Sequence, residues 1–492
     1  MTGSHLIAGT LGPGGVSYTR RDPLTGEAMA ADLVSPDQAD RIVSVAEDAR
    51  EPLEAMDVGE RADVLRLLAA ALERAQDELV PLLVREIGCP VDQAPKLQVG
   101  SAVGVLRSMA DLADRHRFVE NRDGLRGGTV RIVKHPVGVC LGIVPWNVPL
   151  FLACVKLSAA LAAGCPIILK PSPENAASMA VFAQLLADLP LPSGAVQCVT
   201  GDRDLGVALV DHPGVAKVSF TGSTAAGRKV AAACGQRLAR CTLELGGKSA
   251  AILLEDADLD AVREQFFLAT LQNNGQVCGA QSRVLVPEAS ARTLIDWIVG
   301  MVEELEVGDP FKAGTDIGPL ATFAQAERVQ GFLARAHESG VKIAARARAD
   351  NAGAFAFPTV VLADPDDEIA REEVFGPVIS VLTYKTMDEA VALSNDSDYG
   401  LSGSIWTSDL DRAAEIATRL RTGTVGINSK KILDFGAPFG GFRSSGLGRE
   451  LGPEGIDAYL EASSILIPTI TTTGAAGASV APQNQPVRER HQ

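Results

Sequence analysis

"VCLGIVPWNVPLFLACVKLSAALAAGCPIILK", residues 139–170, holds two short apolar runs on either side of a longer helical stretch. The runs at 139–144 and 166–170 have the length of buried strands, and 151–164 has the length of a helix. The same alternation continues through the strand candidates at 195–201, 215–220 and 241–245. Buried-type strands that alternate with helices predict a parallel sheet covered by helices. Ligands bind such sheets beyond the carboxyl ends of the strands.

The second half of the chain repeats this pattern from residue 250 to about 428. Its strand candidates lie at 250–255, 283–287, 377–384 and 424–428. We therefore predict an α/β fold with two α/β domains. Ahead of them, residues 36–85 have the apolar spacing of helices, with Ser35 as a candidate N-cap and Gly88 and Pro90 as the stop. Small polar residues without a pattern predict that the tail at 472–492 is disordered.

The chain is acidic, with 61 Asp and Glu against 45 Lys and Arg and a formal net charge of −16. This balance argues against a nucleic-acid or anionic-membrane surface, because both need a basic face. The eight cysteines form no C-x-x-C pair, which is typical of reduced thiols and predicts a cytoplasmic protein. The six histidines show no metal-ligand spacing, so we expect no metal site.

One uncharged stretch, residues 137–155, is long enough to span a bilayer. Pro145, Asn147 and Pro149 interrupt it, and proline inside a helix costs about 3 kcal/mol. The interruption favours a buried strand that turns into a helix over a membrane span. The N-terminal residues also lack the basic start and apolar core of a signal peptide.

Two stretches carry candidates for chemistry. Cys278 stands in a polar, glycine-rich turn, "NNGQVCGA" at 273–280, although a free cysteine is more often a small buried apolar residue. Glu244 in "LELGGKSA" at 243–250 lies in a buried-type strand, where a charge is costly unless it is paired or functional. Desolvation would raise the pKa of Glu244 from about 4.3 toward neutrality, which suits a general base. The alternative is a salt-bridged core glutamate.

Glycine-rich and polar residues follow other predicted strands. "SFTGSTAAG" at 219–227 places Gly222, Ser223 and Gly227 at a helix start, where free N–H groups favour phosphate. A glycine turn before a helix is common, so this signal is weak by itself. Asn147 in "PWNVP" either donates to an oxyanion or caps a turn.

Two more candidates lie further along. Lys170 in "ILKPSPE" at 168–174 either donates to ribose hydroxyls or a phosphate, or is a surface lysine before a proline turn. Glu373 and Phe375 in "EEVFGPV" offer a carboxylate for sugar hydroxyls and an aromatic wall.

Taken together and in this order, the stretches resemble the aldehyde dehydrogenase superfamily, in its NAD(P)-dependent, hydrolytic and non-phosphorylating type. The motifs that carry the resemblance are "PWN" (145–147), "LKPS" (169–172), "FTGST" (220–224), "LELGGKS" (243–249), "NGQVC" (274–278), "EEVFGPV" (372–378) and "PFGGFRSSGLGRE" (438–450). "DPLTGE" at 22–27 and "GPL" at 318–320 match weaker landmarks. The resemblance extends from about residue 20 to 470.

The resemblance implies that Cys278 adds to an aldehyde and becomes a thioester after hydride transfer. Glu244 would activate the water that hydrolyses this thioester to a carboxylic acid. Asn147 and the backbone N–H of Cys278 would hold the oxyanion, and Lys156 matches a lysine near the active site. We expect a flexible, exposed turn around Cys278, because the sulfur must reach a carbonyl.

The resemblance also implies a dinucleotide cofactor. The residues expected to bind it are Trp146, Lys170, Ser172, Glu174, Gly222, Ser223, Gly227, Leu245, Glu373 and Phe375. Many NAD-preferring relatives carry a glutamate where this chain has Pro173. Proline neither repels a ribose 2′-phosphate nor accepts hydrogen bonds from ribose, so we predict NAD and leave NADP open.

The substrate prediction is a medium or bulky apolar aldehyde, of aliphatic, terpenoid or aromatic type. It depends on the modest, apolar residues at the positions that flank the tunnel in the family. These are Val148, Val155, Val277, Gly279, Leu433 and Phe439.

The resemblance assigns three parts to the chain. They are a Rossmann-like cofactor-binding domain (1–118 and 137–245), a catalytic domain (246–445) and a small β oligomerisation element (119–136 and 455–471). We expect a homodimer or homotetramer. A coenzyme A-acylating semialdehyde dehydrogenase and a catalytically silent relative are the alternatives, although relatives of the acylating type usually lack a glutamate at position 244.

Overall fold

A computed structural model of the protein describes residues 5–347, 353–431 and 433–469. Within these ranges the strands are β1 (His5–Ile7), β2 (Thr10–Gly12), β3 (Gly15–Arg21), β4 (Ala28–Val34), β5 (Val119–Asp123), β6 (Thr129–Pro136), β7 (Cys140–Ile143), β8 (Ile167–Lys170), β9 (Val196–Cys198), β10 (Lys217–Thr221), β11 (Arg240–Glu244), β12 (Ala250–Leu253), β13 (Arg283–Pro287), β14 (Lys342–Arg346), β15 (Thr359–Leu362), β16 (Val378–Tyr384), β17 (Ser402–Trp406), β18 (Thr424–Ile427), β19 (Gly446–Leu447) and β20 (Leu460–Ile467).

The α-helices of the same ranges are α1 (Ala39–Asp48), α2 (Arg50–Glu54), α3 (Val58–Arg74), α4 (Gln76–Ile87), α5 (Ser101–Ala113), α6 (Pro149–Ala163), α7 (Ala176–Ala187), α8 (Arg203–Asp211), α9 (Thr224–Gln236), α10 (Leu259–Thr270), α11 (Ala291–Glu303), α12 (Phe323–Glu338), α13 (Glu368–Arg371), α14 (Met387–Asn395), α15 (Leu410–Ala417) and α16 (Gly452–Asp457).

The first large sheet has eight strands in the order β19-β11-β10-β7-β8-β9-β1-β2. Its five central strands, from β11 to β9, run parallel, and the outer pairs are antiparallel. These strands are buried along nearly their whole length, with α6 between β7 and β8 and α7 between β8 and β9. The parallel sheet predicted from residues 139–245 is confirmed.

The second large sheet has seven strands in the order β14-β15-β16-β13-β12-β17-β18, and only β14 pairs antiparallel to its neighbour. The four strand candidates of the second half correspond to β12, β13, β16 and β18. The prediction missed β14, β15 and β17. A short strand such as β17, "SGSIW", has too few apolar residues to stand out as a buried run.

Within the described residues the chain divides into two compact units, 5–116 with 136–461 and 117–135 with 462–469. Both large sheets belong to the first unit. A three-stranded sheet, β20-β6-β5, contains most of the second unit. The further division of the first unit into a cofactor domain and a catalytic domain stays a proposal.

The local predictions on helices have mixed outcomes. Residues 36–85 are helical, and α4 ends at Gly88, which has a left-handed φ of 75°. Residues 137–155 form strand β7, a turn and the start of α6, as predicted. Ser35 is the N-cap of a short 3₁₀ helix, as predicted, although its side chain makes no capping hydrogen bond. No helix among the described residues combines the length and apolar character needed to cross a membrane. The predicted disordered tail, 472–492, lies outside the described residues.

Candidate active site

The carboxyl ends of four neighbouring parallel strands meet at one edge of the first sheet. Thr221 at the end of β10 pairs with Glu244 at the end of β11. Ile143, the last residue of β7, pairs with Phe220 on one side and with Lys170 of β8 on the other. The predicted site residues that follow these strands therefore lie at the same edge, where parallel sheets bind ligands.

Cys278 follows a sharp turn at the end of α10, which we call the cysteine turn (residues 271–278). Asn273, Asn274 and Gly275 have successive φ values of 55°, 62° and 72°, in the left-handed region. Asparagine and glycine tolerate this region better than other residues. The sequence "NNG" therefore specifies the reversal that carries the chain from α10 toward β13.

Asn274 fixes the cysteine turn to two distant segments. Its Nδ2 donates to the carbonyl oxygens of Gly88 (2.8 Å) and Pro319 (2.9 Å), and its Oδ1 accepts from the N–H of Gly318 (2.8 Å). A Cβ at Gly88 would lie 1.9 Å from the carbonyl oxygen of Pro319, so only glycine allows this approach. The "GPL" motif is thus part of the support for the turn.

Gln276 adds a second set of hydrogen bonds. Its Oε1 accepts from the N–H of Ala321 (2.9 Å), and its Nε2 donates to the carbonyl of Asn273 (3.2 Å). Asn273, Asn274 and Gln276 are completely buried, and Cys278 is partly buried. The expectation of a flexible, exposed turn is therefore wrong. Backbone groups satisfy the buried side chains of Asn274 and Gln276, and these hydrogen bonds fix the conformation of the cysteine turn.

Cys278 opens into a cavity of about 250 Å³. The residues that line it are Pro145, Trp146, Asn147, Leu152, Thr221, Gly222, Ser223, Leu245, Gly246, Cys278, Gln325, Arg328, Glu373 and Phe375. Eight of the residues predicted from the sequence for catalysis or cofactor binding are among them. The structure thus brings residues from both large sheets around the thiol.

Burial raises the pKa of the Cys278 thiol to about 12, and the carboxyl groups of Glu373 and Glu244 add to the rise. The thiol is therefore protonated at neutral pH in the free protein. Since the thiolate is the nucleophile, reaction at Cys278 requires a proton acceptor or an added positive charge nearby.

Glu244 is 3% exposed, and neither carboxyl oxygen has a hydrogen-bond partner among the described residues. Burial raises its pKa well above the usual value, and the charge of Glu450 adds to this, while Lys156 opposes it. The predicted direction of the pKa shift is confirmed. The alternative of a salt-bridged core glutamate does not describe this side chain, because Glu244 makes no ion pair with any of the residues that the structure describes.

Lys156 is completely buried inside α6 beneath the sheet. Its Nζ donates to Oε1 of Glu450 (2.8 Å), Oγ1 of Thr221 (2.8 Å) and Oγ of Ser219 (3.0 Å). The same Glu450 oxygen accepts from Ser219 (2.7 Å). Lys156 and Glu450 therefore form a buried, hydrogen-bonded ion pair, and their charges change the pKa of Glu244.

Asn147 follows β7 and is 5% exposed. Its Nδ2 donates to the carbonyl oxygen of Gln276 (2.8 Å), and its own carbonyl accepts from Gln98 and Asn273 (both 3.1 Å). An amide has two N–H groups, so one remains for a ligand in the cavity that Asn147 shares with Cys278. Asn147 is thus fixed to the cysteine turn rather than capping a turn of its own.

A second cavity, of about 620 Å³, lies between α8 and α9 and includes Lys170, Phe220 and Val230 in its wall. Ser223 lines both cavities and is the N-cap of α9, where its side chain accepts from the N–H of Ala226 (3.3 Å). A helix N-terminus with a cavity on each side suits a dinucleotide, with the pyrophosphate between its two halves. The residues present therefore fit the expected cofactor.

The loop at 372–378 forms one wall of the Cys278 cavity. Phe375 has a left-handed φ of 57° and packs edge-on against Trp146, with ring centroids 5.5 Å apart. Nε2 of Gln325 donates to the carbonyl of Phe375 (2.9 Å) and holds this strained backbone in place. Glu373 accepts from the N–H of Gly247 (3.0 Å), and burial raises its pKa to about 7.

Other predicted cofactor residues lie near Lys170. Ser172 donates a hydrogen bond to Glu174 just beyond β8.

Gly227 is buried within α9, where a Cβ would lie 2.4 Å from the side chain of Leu245. Glycine there allows α9 to approach the Leu245 wall of the Cys278 cavity.

The six predicted substrate residues do not line the 250 Å³ cavity. Val148 and Val155 are buried at 6% and 3% exposure, and Phe439 is 9% exposed. Gly279 is also buried and accepts from Oγ of Ser402 (2.9 Å), whereas Val277 and Leu433 are partly buried. Leu152 is the aliphatic side chain of α6 that does line the cavity.

The comparison with protein families decides the assignment. The model of the aldehyde dehydrogenase family matches residues 14–465. The chain belongs to the aldehyde dehydrogenase family. It is therefore an oxidoreductase by family, with the mixed α/β fold and parallel sheets that we predicted from its sequence.

Two characterised relatives are similar over most of the chain. A geranial dehydrogenase of Castellaniella defragrans is 43% identical over 433 residues, which cover 87% of this chain and 90% of that enzyme. A 3-succinoylsemialdehyde-pyridine dehydrogenase of a Pseudomonas species is 39% identical over 414 residues, with 83% and 86% coverage.

Solved aldehyde dehydrogenases have the same fold. The enzyme of Mycobacterium tuberculosis, in complex with NAD⁺, superposes with a TM-score of 0.91 at 37% identity and covers 95% of this chain and 98% of that chain. The NAD⁺ complex of the Bacillus cereus enzyme gives 0.92 at 33% identity, with 96% and 97% coverage.

Sequence reasoning did not single out Glu450, Gln325 or Arg328. Glu450 ends the motif at 438–450, but nothing in a glycine-rich loop shows that its carboxylate is buried against Lys156. Gln325 and Arg328 lie one turn apart near the start of α12, and the separation is the only signal that they share a helix face.

Proposed function

We propose that this aldehyde dehydrogenase oxidises apolar aldehydes to carboxylic acids through a thioester on Cys278. The observation that supports this most strongly is the shared cavity of Cys278, Asn147 and Glu373, which meets the larger cavity at the N-terminus of α9. A nucleophile, an oxyanion donor and a dinucleotide-sized cleft are the three parts that this reaction class needs.

Cys278 gives its proton to water and its sulfur adds to the aldehyde carbon, which gives a thiohemiacetal. The N–H of Asn147 that Gln276 leaves free donates to the oxyanion, together with the backbone N–H of Cys278. One such donor contributes about 3 kcal/mol to the transition state. The rigid cysteine turn keeps sulfur and donor in a fixed relation.

NAD is the cofactor, and when bound it supplies the acceptor for one hydride from the former aldehyde carbon. Lys170, Ser223 and Trp146 would hold its adenosine and pyrophosphate half. Glu373, Phe375 and Leu245 would hold its nicotinamide half. Ser172, Glu174, Gly222 and Gly227 are proposed to shape the remainder of this site.

Glu244 is the proposed base for hydrolysis of the thioester. It takes a proton from water, the oxygen adds to the thioester carbon, and the sulfur of Cys278 leaves as a thiolate with the carboxylic acid as product. The thiolate then takes up the proton that Glu244 holds, which regenerates both groups. A carboxyl group whose pKa is raised toward neutrality accepts a proton more strongly than an ordinary one. Burial is the main cause of the raised pKa of Glu244, the charge of Glu450 adds to it and the charge of Lys156 opposes it.

An apolar aldehyde is the proposed substrate class, and a terpenoid aldehyde is the specific candidate. The likeness to the geranial dehydrogenase supports it, as does the aliphatic side chain of Leu152 in the wall of the Cys278 cavity. Val148, Val155, Val277, Gly279, Leu433 and Phe439 remain proposed as residues that flank the substrate tunnel.

We further propose a homodimer or homotetramer located in the cytoplasm. Strand β20 is an edge strand with exposed Ile465, Leu466 and Ile467. An exposed apolar edge is a template for pairing with another copy of the chain. The cytoplasmic assignment rests on the cysteine usage of the sequence.

Absorbance at 340 nm tests the proposed function, with short, long, terpenoid and aromatic aldehydes and NAD⁺. Reduction that depends on the aldehyde and is absent in Cys278→Ala supports it. Terpenoid and aromatic aldehydes should give the highest kcat/KM. Undiminished turnover by Cys278→Ala would overturn the mechanism, and a preference for small or charged aldehydes would overturn the substrate class.

A further inference from the structure

Two cysteines outside the active site meet where α9 is followed by β11. Cys234 lies in the last turn of α9, and Cys241 is the second residue of β11. The carbonyl oxygen of Cys234 accepts from the N–H of Ala239 (3.0 Å), and Leu238 has a left-handed φ of 57°. Both features are typical of a chain reversal at a helix C-terminus. The strand therefore runs back beside the helix, and Cys241 packs against the apolar cluster that contains Cys234.

The thiols of Cys234 and Cys241 are hydrogen-bonded to each other. This hydrogen bond lowers the pKa of Cys241 to about 7, with help from the charge of Lys217 and against the effect of burial. Cys234 is 1% exposed, whereas Cys241 is partly exposed. Cys241 therefore combines thiolate character with access to solvent, the two properties that make a cysteine react with oxidants.

A second pair of thiols in the same sheet lacks this access. Cys140 at the start of β7 and Cys165 just before β8 are also hydrogen-bonded to each other. They are 1% and 0% exposed, and their sulfur atoms lie within hydrogen-bond distance of the carbonyl oxygens of Gly138 (3.4 Å) and Tyr459 (3.3 Å). The two pairs thus differ in whether an oxidant can reach one member from solvent.

We propose that Cys234 and Cys241 are a reversible oxidation site, at which a hydroperoxide converts the two thiols into a disulfide. Cys241 is the residue that the oxidant reaches, and Cys234 is the resolving thiol that already contacts it. A partner thiol held in place favours the disulfide over the higher, irreversible oxidation states of sulfur. The site uses neither Cys278 nor the cofactor cleft, so the inference does not depend on the proposed function.

The reaction with hydrogen peroxide has two steps. The Cys241 thiolate attacks one peroxide oxygen, an S–O bond forms as the O–O bond breaks, and the hydroxide that leaves takes up a proton from solvent. The sulfur of Cys234 then attacks the sulfur of the Cys241 sulfenic acid, and the hydroxyl leaves as water with the proton of Cys234. The two thiols together lose two electrons, and the peroxide becomes two waters. A dithiol reductant reverses the oxidation by thiol–disulfide exchange.

Peptide mapping after exposure to hydrogen peroxide tests the proposal. The full-length protein is reduced, freed of reductant, treated with peroxide, alkylated with iodoacetamide and digested with trypsin. Trypsin cuts after Arg237 and Arg240, so the two cysteines fall in separate peptides, 230–237 and 241–248. Mass spectrometry should show these peptides joined and then separated by reductant. This link should exceed any link between Cys140 and Cys165 by at least about tenfold.

Cys234→Ser tests the order of the two steps. Serine keeps a hydrogen-bond donor beside Cys241 but cannot resolve a sulfenic acid, so dimedone should then trap the sulfenic acid on Cys241. Cys165→Ser is the matched control, because it removes one thiol of the buried pair and should leave the link between Cys234 and Cys241 unchanged.

Three results would overturn the proposal. They are a wild-type map without the joined peptides, a link between Cys140 and Cys165 that forms as readily, and a folded Cys234→Ser variant in which dimedone leaves Cys241 unmodified. Circular dichroism establishes that the variant folds, and the wild-type map needs no variant at all.

Discussion

The Nζ of Lys156 lies 2.8 Å from Oε1 of Glu450, and this ion pair is buried beneath the sheet edge that carries Glu244. Glu450 raises the pKa of Glu244 and Lys156 lowers it. The two partners therefore oppose each other in setting the protonation of the proposed base. Substitution of Glu450 should therefore lower the pKa of Glu244, and substitution of Lys156 should raise it.

Glu450→Gln should move the acidic limb of the pH profile of kcat to lower pH, and Lys156→Met should move it to higher pH. The base must be deprotonated to act, so activity rises with pH through the pKa of Glu244, and removing Glu450 lowers that pKa. We expect shifts of about one pH unit. Circular dichroism must show that both variants fold, because each leaves a buried charge unpaired. Shifts in the same direction would contradict this account.

Glu244→Gln should separate the two halves of the reaction. Acylation of Cys278 should continue, while hydrolysis slows by about 10²- to 10⁴-fold, the usual contribution of a general base. The expected observation is a burst of one reduced cofactor per active site, followed by slow turnover. Uniform slowing without a burst would place Glu244 in the first half of the reaction instead.

Glu244 should also make the stability of the fold depend on pH. Its folded-state pKa is raised, so its stabilising contribution is full below the unfolded pKa of about 4.3. The contribution is lost as pH rises through the folded value, by about 1.4 kcal/mol for each pH unit crossed. Glu244→Gln should therefore gain stability over the wild type between pH 5 and pH 8, as thermal midpoints would show. A difference in thermal midpoint between the two proteins that stays constant with pH would indicate that the pKa of Glu244 is not raised in the folded state.

Gly275→Ala should disrupt the cysteine turn. Its φ is 72°, and a Cβ would lie 2.3 Å from the carbonyl oxygen of Gly376. We expect a loss of about 2 kcal/mol or more in the free energy of unfolding, with much slower labelling of Cys278 by iodoacetamide. Gly59→Ala is the control, because nothing lies within 4 Å of its added Cβ and it should be neutral or slightly stabilising.

Val148→Trp tests the tunnel assignment. If Val148 flanks the path of the substrate, the larger side chain should raise KM for bulky aldehydes more than for acetaldehyde. Steady-state kinetics with geranial, benzaldehyde and acetaldehyde measure the difference. Equal effects on all three would show that Val148 lies away from the path, in agreement with its absence from the wall of the 250 Å³ cavity.

The sheet edge was predictable because it depends on local patterns. Buried strands followed by Asn147, Lys170, Ser223 and Glu244 place those residues together, since parallel strands end at one edge. The position of Glu450 against Lys156 was not predictable, because the two residues are nearly 300 positions apart in the chain and meet only through tertiary packing.

The burial of the cysteine turn was also not predictable from local sequence. Its polar sequence suggested exposure, yet Asn274 and Gln276 are buried by backbone groups near 88 and 320 that no local pattern reveals.

The central claim is that a thioester forms on Cys278 and that Glu244 hydrolyses it. The most direct measurement is mass spectrometry of Glu244→Gln, quenched with acid after mixing with NAD⁺ and a terpenoid aldehyde and then digested. The account predicts one acyl group on the peptide that contains Cys278 and none on the peptides of the other seven cysteines. An unmodified Cys278 with product formed, or an acyl group on another cysteine, would contradict it.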